Sequence, residues 1–430
     1  MQPLRRELGV WDLVLFNTAA VVGIRWLAAA AHIGPGSPAL WVSAAVLFFV
    51  PCAQAVAALS RAYPEEGGIY IWTRRAFGEW HAFFCVWCYW LNNFFYLPSL
   101  AVAGVTMALY SMGPPMDGYV SHTGVVTAAA LALLWIATAA NAVGMGTGKW
   151  LGNIGGSATY AAAGVLIAGG AVAWMTRGPA TGIEFFPKLD AEKLNFWPQI
   201  ALAFGGLELG AVLAGEIRDP ERSLPRAAAW SAAAITVFYL AGTLAMLVLL
   251  PAAEISPVTG LAQAGAALGW RPAAILLAVL VALGIAGQLN TWLGGVARLP
   301  MLLGAEHYLP ARLANLGQTL FWQAAACTVF LLAMQAGENL RTGYQLLVDM
   351  MVITYFIPFL YLFLSAWRLA RLRVSAGAGV AVTVLALLLS FAPPGGVASA
   401  WAFEAKLVAG TALVAGVARW WFVRSRRILA

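Results

Sequence analysis

A carboxylate, a pair of adjacent glycines and an arginine stand inside apolar stretches where each is expensive. Glu208 follows Phe204, Gly205 and Gly206 within FWPQIALAFGGLELGAVLAGEI, and Arg25 interrupts VVGIRWLAAAA two residues after Gly23. Glycine weakens a helix by about 1 kcal/mol relative to alanine. An ionisable side chain at bilayer depth costs about 3 kcal/mol on insertion scales, so such groups mark a functional site by default. The matched interruptions suit a zwitterionic ligand: half-helix N-termini offer N–H groups and partial positive charge to a carboxylate, and unwound carbonyls accept from an ammonium. Arg25 stays protonated at any physiological pH. It needs a carboxylate, either Glu208 or a group on the substrate, unless it snorkels or replaces a coupling cation. Glu208 has a matching fork between carrying a proton and remaining the ionised partner of an arginine.

These residues need a membrane-spanning scaffold to position them. The chain is 62% hydrophobic and 10% charged, against about 45 to 50% and 25% in soluble domains. Its apolar runs are long enough for helices to cross a hydrocarbon core of about 30 Å, whereas barrel strands need only about ten residues. The fold class is therefore an all-α polytopic membrane protein with twelve transmembrane helices. The spans are expected near 10–31, 39–60, 80–111, 122–142, 154–175, 197–216, 226–250, 272–298, 319–336, 343–367, 376–392 and 400–423. With this count, 18 of the 25 Lys and Arg residues fall on the side of the two termini and six on the other, leaving Arg25 inside the first span. That bias places both termini in the cytoplasm and the protein in the plasma (inner) membrane. The net charge of +7 reflects orientation and implies no nucleic-acid partner.

The interruptions of spans one and six are five spans apart, the spacing of an inverted-repeat transporter with two discontinuous helices. Other polar groups lie at depth. Asn92 and Asn93 in the third span, and Gln288, Asn290 and Thr291 in the eighth, either line a secondary cavity or bond neighbouring helices. Ser157, Thr159 and Tyr160 are modest polar groups of the fifth span, and Lys149 is placed in the loop before it. Asp349 is the remaining carboxylate of interest. GNIGG at 152–156 reads as close helix packing. IYIWTRRAFGEW forms an interfacial helix, and Ser223 with Pro225 starts the seventh span. Glu216, followed by Arg218, Asp219, Glu221 and Arg222, forms either a cytoplasmic gate or a solvated salt-bridge loop. Cys52, Cys85, Cys88 and Cys327 are small packing residues without a ligand-spaced histidine group, so no metal or cofactor is expected.

Three stretches resemble the amino acid, polyamine and organocation (APC) superfamily of transporters, of the amino acid permease type: LSRAYPEEGGIYIWTRRAFG at 59–78, FGGLELGAVLAGEIRDPERSLPRA at 204–227 and QLNTWLGGVARLPMLLGAEHYLP at 288–310. The resemblance implies a five-plus-five inverted repeat with two extra C-terminal helices. It divides the chain into a first repeat (1–175), an external loop (176–196), a second repeat (197–373) and a C-terminal pair with its tail (374–430). It also implies substrate binding by Val22, Gly23, Ile24, Arg25 and Trp26 at the first break and by Ala203, Phe204, Gly205, Gly206 and Leu207 at the second. Phe204 resembles the aromatic that closes over substrate, and Glu208 the sixth-helix glutamate that senses protons in some relatives. The first helix departs from the family's Gly-Ser-Gly run. The fifth-helix lysine of some relatives is replaced near Thr159, leaving Arg25, Glu208, Thr159 and Glu216 as coupling or gating candidates.

The expected function is secondary active transport of an amino acid, neutral or acidic in preference to cationic, by alternating access with proton symport or exchange. The substrate, protons and the lipid bilayer are the expected partners, with homo-oligomerisation also open. The alternative is an amino-acid sensor or subunit that keeps the fold without transporting. An enzyme is not expected, because the spans hold no His pair, Ser-His-acid set or metal-ligand spacing.

Overall fold

A computed structural model describes residues 7–112, 119, 122–184, 191–256, 259–335, 340–390 and 400–429. The chain forms a bundle of helices because, in lipid, each backbone N–H and C=O must be satisfied within its own segment. Helix α1 (Val10–Val21) and helix α2 (Arg25–His32) meet at a 46° bend. Then come α3 (Ser37–Ala62), with a π-helical turn at Ala45–Phe49, and α4 (Ile69–Phe77). Helices α5 (Glu79–Ser111), α6 (Thr123–Val143) and α7 (Met145–Arg177) follow. Helix α8 (Ala191–Ala203) gives way to turns and the single helical turn α9 (Leu209–Val212). The remainder is α10 (Pro220–Leu249), α11 (Gly260–Ala267), α12 (Arg271–Ala305), α13 (Leu316–Gln335), α14 (Leu340–Leu369), α15 (Arg373–Ser390) and α16 (Ala400–Leu429).

Among the described residues, nine helices are long and apolar enough to cross a membrane, or ten when the bent pair α1 and α2 is one span. Together with exposed apolar side chains such as Leu388 and Leu413, they make this an integral membrane protein. Ten of the twelve expected crossings fall on these helices. The sixth is a short helix, a run of turns and a 3-10 segment (Ala214–Glu216), and the ninth is apolar only over Leu316–Leu332. The reason at the sixth is local: Gly206 adopts φ +120°, a backbone state that L side chains rarely take.

Some boundaries differ from expectation. Helix α10 begins at Pro220, with Ser223 inside its first turn donating its hydroxyl to the Arg218 carbonyl (2.7 Å). Pro220 therefore opens this helix, as a residue without an N–H can where that N–H would be an orphan. Lys149 lies within α7, where its Nζ is 3.0 Å from Asp12 Oδ2 of α1. The interfacial segment is helical as α4, but Trp72 is fully buried in protein. Tyr70 and Arg74 of this helix reach Glu306 at the end of α12 (2.5 and 2.7 Å).

Helix α12 runs through the centre and touches α7 backbone to backbone. A Cβ on Gly155 would lie 2.4 Å from Gly287 Cα, and one on Gly156 would lie 2.8 Å from the Leu15 carbonyl oxygen of α1. The glycines of GNIGG are packing residues, as their spacing predicts. Between helices in lipid, close approach of small residues replaces hydrophobic driving force. Substituting Gly287→Leu is expected to wedge α7 from α12 at about 1 to 3 kcal/mol, read as a lower midpoint of thermal unfolding in detergent. An unchanged midpoint would contradict this contact.

Candidate functional site

The two breaks lie against each other. At the first, Val22 is extended (φ −75°, ψ 97°), and Trp26 N–H donates to the Gly23 carbonyl (2.8 Å) to begin α2. At the second, Gly205 N–H donates to the Leu202 carbonyl (2.8 Å) and Leu209 N–H to the Gly206 carbonyl (3.1 Å). A Cβ on Gly206 would sit 3.0 Å from the Ala20 carbonyl oxygen, and one on Gly205 would meet the Tyr355 ring at 2.5 Å. No larger residue fits either position as the helices stand.

Side chains from other helices satisfy the backbone groups that the breaks free. Tyr239 of α10 accepts from Gly23 N–H (3.0 Å). Its own hydroxyl donates to the Ala203 carbonyl (2.8 Å), with the Val21 carbonyl at 3.0 Å as the alternative acceptor. One phenol thus bridges both breaks. From α12, the Trp292 indole (2.6 Å) and the Gln288 amide (3.4 Å) both donate to the Ala20 carbonyl. Sequence reading missed Tyr239 and Trp292, since neither stands out in a chain with 12 Tyr and 19 Trp.

Beside the breaks lies a cavity of about 20 Å³. Val21, Ala203 and Gly205 supply its backbone side, Trp26, Tyr96, Trp292 and Tyr355 its aromatic walls, and Asn92 a polar wall. The Asn92 amide donates to the Met351 carbonyl (2.8 Å). Glu208 is fully buried just beyond this wall. It accepts from the Tyr89 hydroxyl (2.6 Å), more distantly from Tyr355 (3.4 Å), and from Gly206 N–H (3.2 Å). A carboxyl so held links α5, α14 and the second break.

The expected residues divide between this cavity and other places. Arg25 does not pair with Glu208. Its Nη1 donates to Ser99 Oγ (3.3 Å), and its guanidinium carbon lies 5.2 Å and 5.5 Å from the Trp26 and Tyr96 ring centroids. The bond network draws Glu208 to two tyrosines and the backbone instead. Phe204 is buried in a cluster with Phe49 (stacked, 4.5 Å), Trp41 and Tyr239. In this conformation the rings facing the cavity are Trp26, Tyr96, Trp292 and Tyr355, not Phe204. Val22, Ile24 and Leu207 are buried backbone positions of the breaks.

Thr159 donates within its own helix to the Gly155 carbonyl (3.0 Å). The link from α7 to α1 is its neighbour Tyr160, 2.6 Å from Thr18 Oγ1. Because Thr18 already donates to the Val14 carbonyl, Tyr160 is the donor. Asn93 bonds the Tyr89 carbonyl (2.7 Å) and belongs to helix packing. Asn290 and Thr291 line a separate cavity of about 30 Å³ that also meets Asp12, Lys149 and Arg298. There Asn290 exchanges bonds with Asn141 (2.8 Å) and the Gly148 carbonyl (2.9 Å). The side chain of Asp349 lies outside the described residues.

Glu216 is no solvated loop residue. It is 1% exposed and holds Arg298 of α12 through a 2.5 Å bond to Nε, while Arg298 Nη1 donates to the Gly294 carbonyl. The Glu216 carbonyl accepts from Glu7 and Leu8 N–H (3.0 and 3.1 Å), so the start of the chain is latched to the second broken segment. Glu66, in the loop before α4, packs on Gly215: a Cβ there would meet its Oε2 at 2.9 Å. Glu216 and Arg298 are buried together, with Glu66 half-buried beside them. Neither Glu66 nor Arg298 is separable by sequence from the many charges of short loops.

Helices of this length and two breaks facing one small uncharged cavity are the parts of a membrane transporter. The chain matches the amino acid permease family over residues 8–403 and belongs to it. It is 26% identical to an uncharacterized transporter of Legionella pneumophila over 96% of both chains. It is 24% identical to the probable agmatine/putrescine antiporter AguD of Lactococcus lactis over 69% of this chain and 64% of that one. Identity is also 24% to the glutamate/serine transporter AimA of Bacillus subtilis, over 56% of this chain and 47% of that protein. The protein is a transporter and not an enzyme.

Two outcomes follow from this geometry. Tyr239→Phe leaves Gly23 N–H and the Ala203 carbonyl without their shared partner, at about 1 to 3 kcal/mol for the stranded groups. A clear fall in the thermal midpoint is expected, and no fall would mean that the phenol does not bridge the breaks. Burial, reinforced by the Glu216 charge and partly opposed by Arg298, holds the Glu66 carboxyl above its ordinary 4.5. A raised carboxyl destabilises the folded state once ionised, so this penalty is absent below 4.5 and complete above the folded value. Glu66→Gln should therefore be more stable than wild type at neutral pH, with the gap closing as pH falls through the carboxylate range. A gap that widens on acidification refutes the assignment.

Proposed function

We propose that this permease moves an amino acid, neutral or acidic in preference to cationic, by alternating access around the cavity between the two breaks. The observation that carries the proposal is the cavity itself: uncharged walls, two unwound backbone segments and aromatic rings, with Glu208 beyond Tyr355 on the second break. Zwitterion recognition by backbone needs such a place, because breaks expose N–H and C=O groups at membrane depth. The substrate contacts fall to Val22, Gly23, Ile24, Arg25 and Trp26 on one break and to Ala203, Phe204, Gly205, Gly206 and Leu207 on the other. Tyr239, which occupies the Gly23 amide, is the group a substrate carboxylate displaces.

In this reading the chain crosses the membrane twelve times. Residues 1–175 and 197–373 form inverted repeats, and both termini lie in the cytoplasm of a plasma (inner) membrane protein. The pair of Glu216 and Arg298 then belongs to the cytoplasmic gate and must part for release. Removing one member of a buried pair is costly, whereas exchanging its partner for water in an opening gate is less so. Thr159, the position nearest the fifth-helix lysine of some relatives, bonds the Gly155 carbonyl of its own helix, and the coupling this reading favours is exchange or protons carried by Glu208. Arg25 disfavours polyamine-like cargo such as AguD's name gives, and the cargo for which AimA is named, glutamate and serine, fits better.

Purified protein in liposomes should accumulate or exchange labelled amino acids. Binding without flux would count against transport by this route. Glu208→Gln is expected to lower uptake about tenfold or more, corresponding to at least 1.4 kcal/mol, and to flatten its pH dependence. If that variant keeps both the wild-type rate and the wild-type pH profile, Glu208 carries no coupling proton.

A further inference from the structure

Arg25 is a cation without an anion. Its guanidinium has five N–H donors in a rigid fork, yet it makes one long bond, 3.3 Å to Ser99 Oγ, and its Nε is shut from solvent with no acceptor. No ion pair among the described residues includes it, although buried Arg298 has Glu216. What holds it is the faces of Trp26 and Tyr96, which favour a cation but leave its in-plane donors unused. Both rings are walls of the central cavity. The guanidinium thus lies over two rings that wall the cavity, with its Nε unsatisfied.

The opposite charge is also in place. Glu208 lies beyond Tyr355, another wall of the same cavity, so this uncharged space is flanked by a carboxyl in the second break and a guanidinium at the start of α2. A monocarboxylic amino acid is matched by the two breaks alone. The Arg25 guanidinium is bonded to Ser99 of α5, whereas the Gly23 amide, the proposed place of the α-carboxylate, is bonded to Tyr239. We propose that Arg25 binds the side-chain carboxylate of the substrate, so that the preferred cargo is a dicarboxylic amino acid. The proposal rests on the reading of the cavity as an amino acid site. On binding, the guanidinium exchanges its bond to Ser99 for a forked pair to the carboxylate, the geometry arginine supports best.

The test compares acids with their amides, which differ only in the group that Arg25 is to recognise. Wild type and Arg25→Gln are reconstituted, and uptake of glutamate, aspartate, glutamine and asparagine is measured. Wild type should favour the acids, and Arg25→Gln should raise KM for glutamate by about ten- to hundredfold, the range for a lost charged hydrogen bond. KM for glutamine should change far less, and that residual transport also reports that the variant folds. Arg25→Lys should recover part of the glutamate preference through its charge. Equal losses for glutamate and glutamine overturn the proposal, placing Arg25 on the shared α-carboxylate or in the fold. A wild type that prefers amides to acids also overturns it while leaving amino acid transport standing. Absence of uptake for all four in the wild type overturns the proposal, and absence of uptake for every neutral amino acid as well removes the reading it rests on.

Discussion

A helix that breaks inside a membrane must find partners for the backbone groups it releases, and most of this structure is arranged around that requirement. At the first break, Tyr239 takes Gly23 N–H, and Trp292 and Gln288 take the Ala20 carbonyl. At the second, Tyr239 gives its proton to Ala203, and Glu208 accepts from Gly206 N–H. Each partner comes from a helix that is itself continuous through the region, or from the break itself. An unsatisfied polar group in hydrocarbon costs several kcal/mol, so the breaks exist only because α10 and α12 bring these donors and acceptors to them. The same groups are what a substrate must compete with.

This arrangement separates rigid parts from exchangeable ones. Glycine contacts between α7 and α12 leave no room for sliding, whereas the partners at the breaks are single hydrogen bonds that a carboxylate or ammonium can replace. Glu216 and Arg298 are buried together, and Glu7 and Leu8 are bonded to the Glu216 carbonyl. Glu66 beside them adds a second carboxyl to one arginine, and burial holds that carboxyl above its ordinary value.

Much of the fold was legible because its signals are local and large. Apolar length gave the helices, paired glycines gave the breaks, and GNIGG gave a close packing surface that the structure places against Gly287 and Leu15. The site was legible only in outline. Arg25 and Glu208 were singled out for their cost, but the expectation that they satisfy each other fails: tyrosines can bond a carboxyl, and aromatic faces can hold a guanidinium, without either reaching the other. Glu216 looked like one of several loop charges. Its burial depends on Arg298, which lies 82 positions away.

The sequence by itself determined that the chain lies in a membrane as helices, that two of them are interrupted, and which residues are too costly to be incidental. Those facts follow from transfer energies and helix propensity, which act residue by residue. Only the tertiary structure decided the partners: Tyr239 at both breaks, Tyr89 and Tyr355 on Glu208, Tyr160 on Thr18, and Arg25 left with aromatic faces and an open edge. Hydrogen bonds and ion pairs are set by angles and distances of a few ångströms between helices far apart in the chain. No periodicity within one segment encodes them.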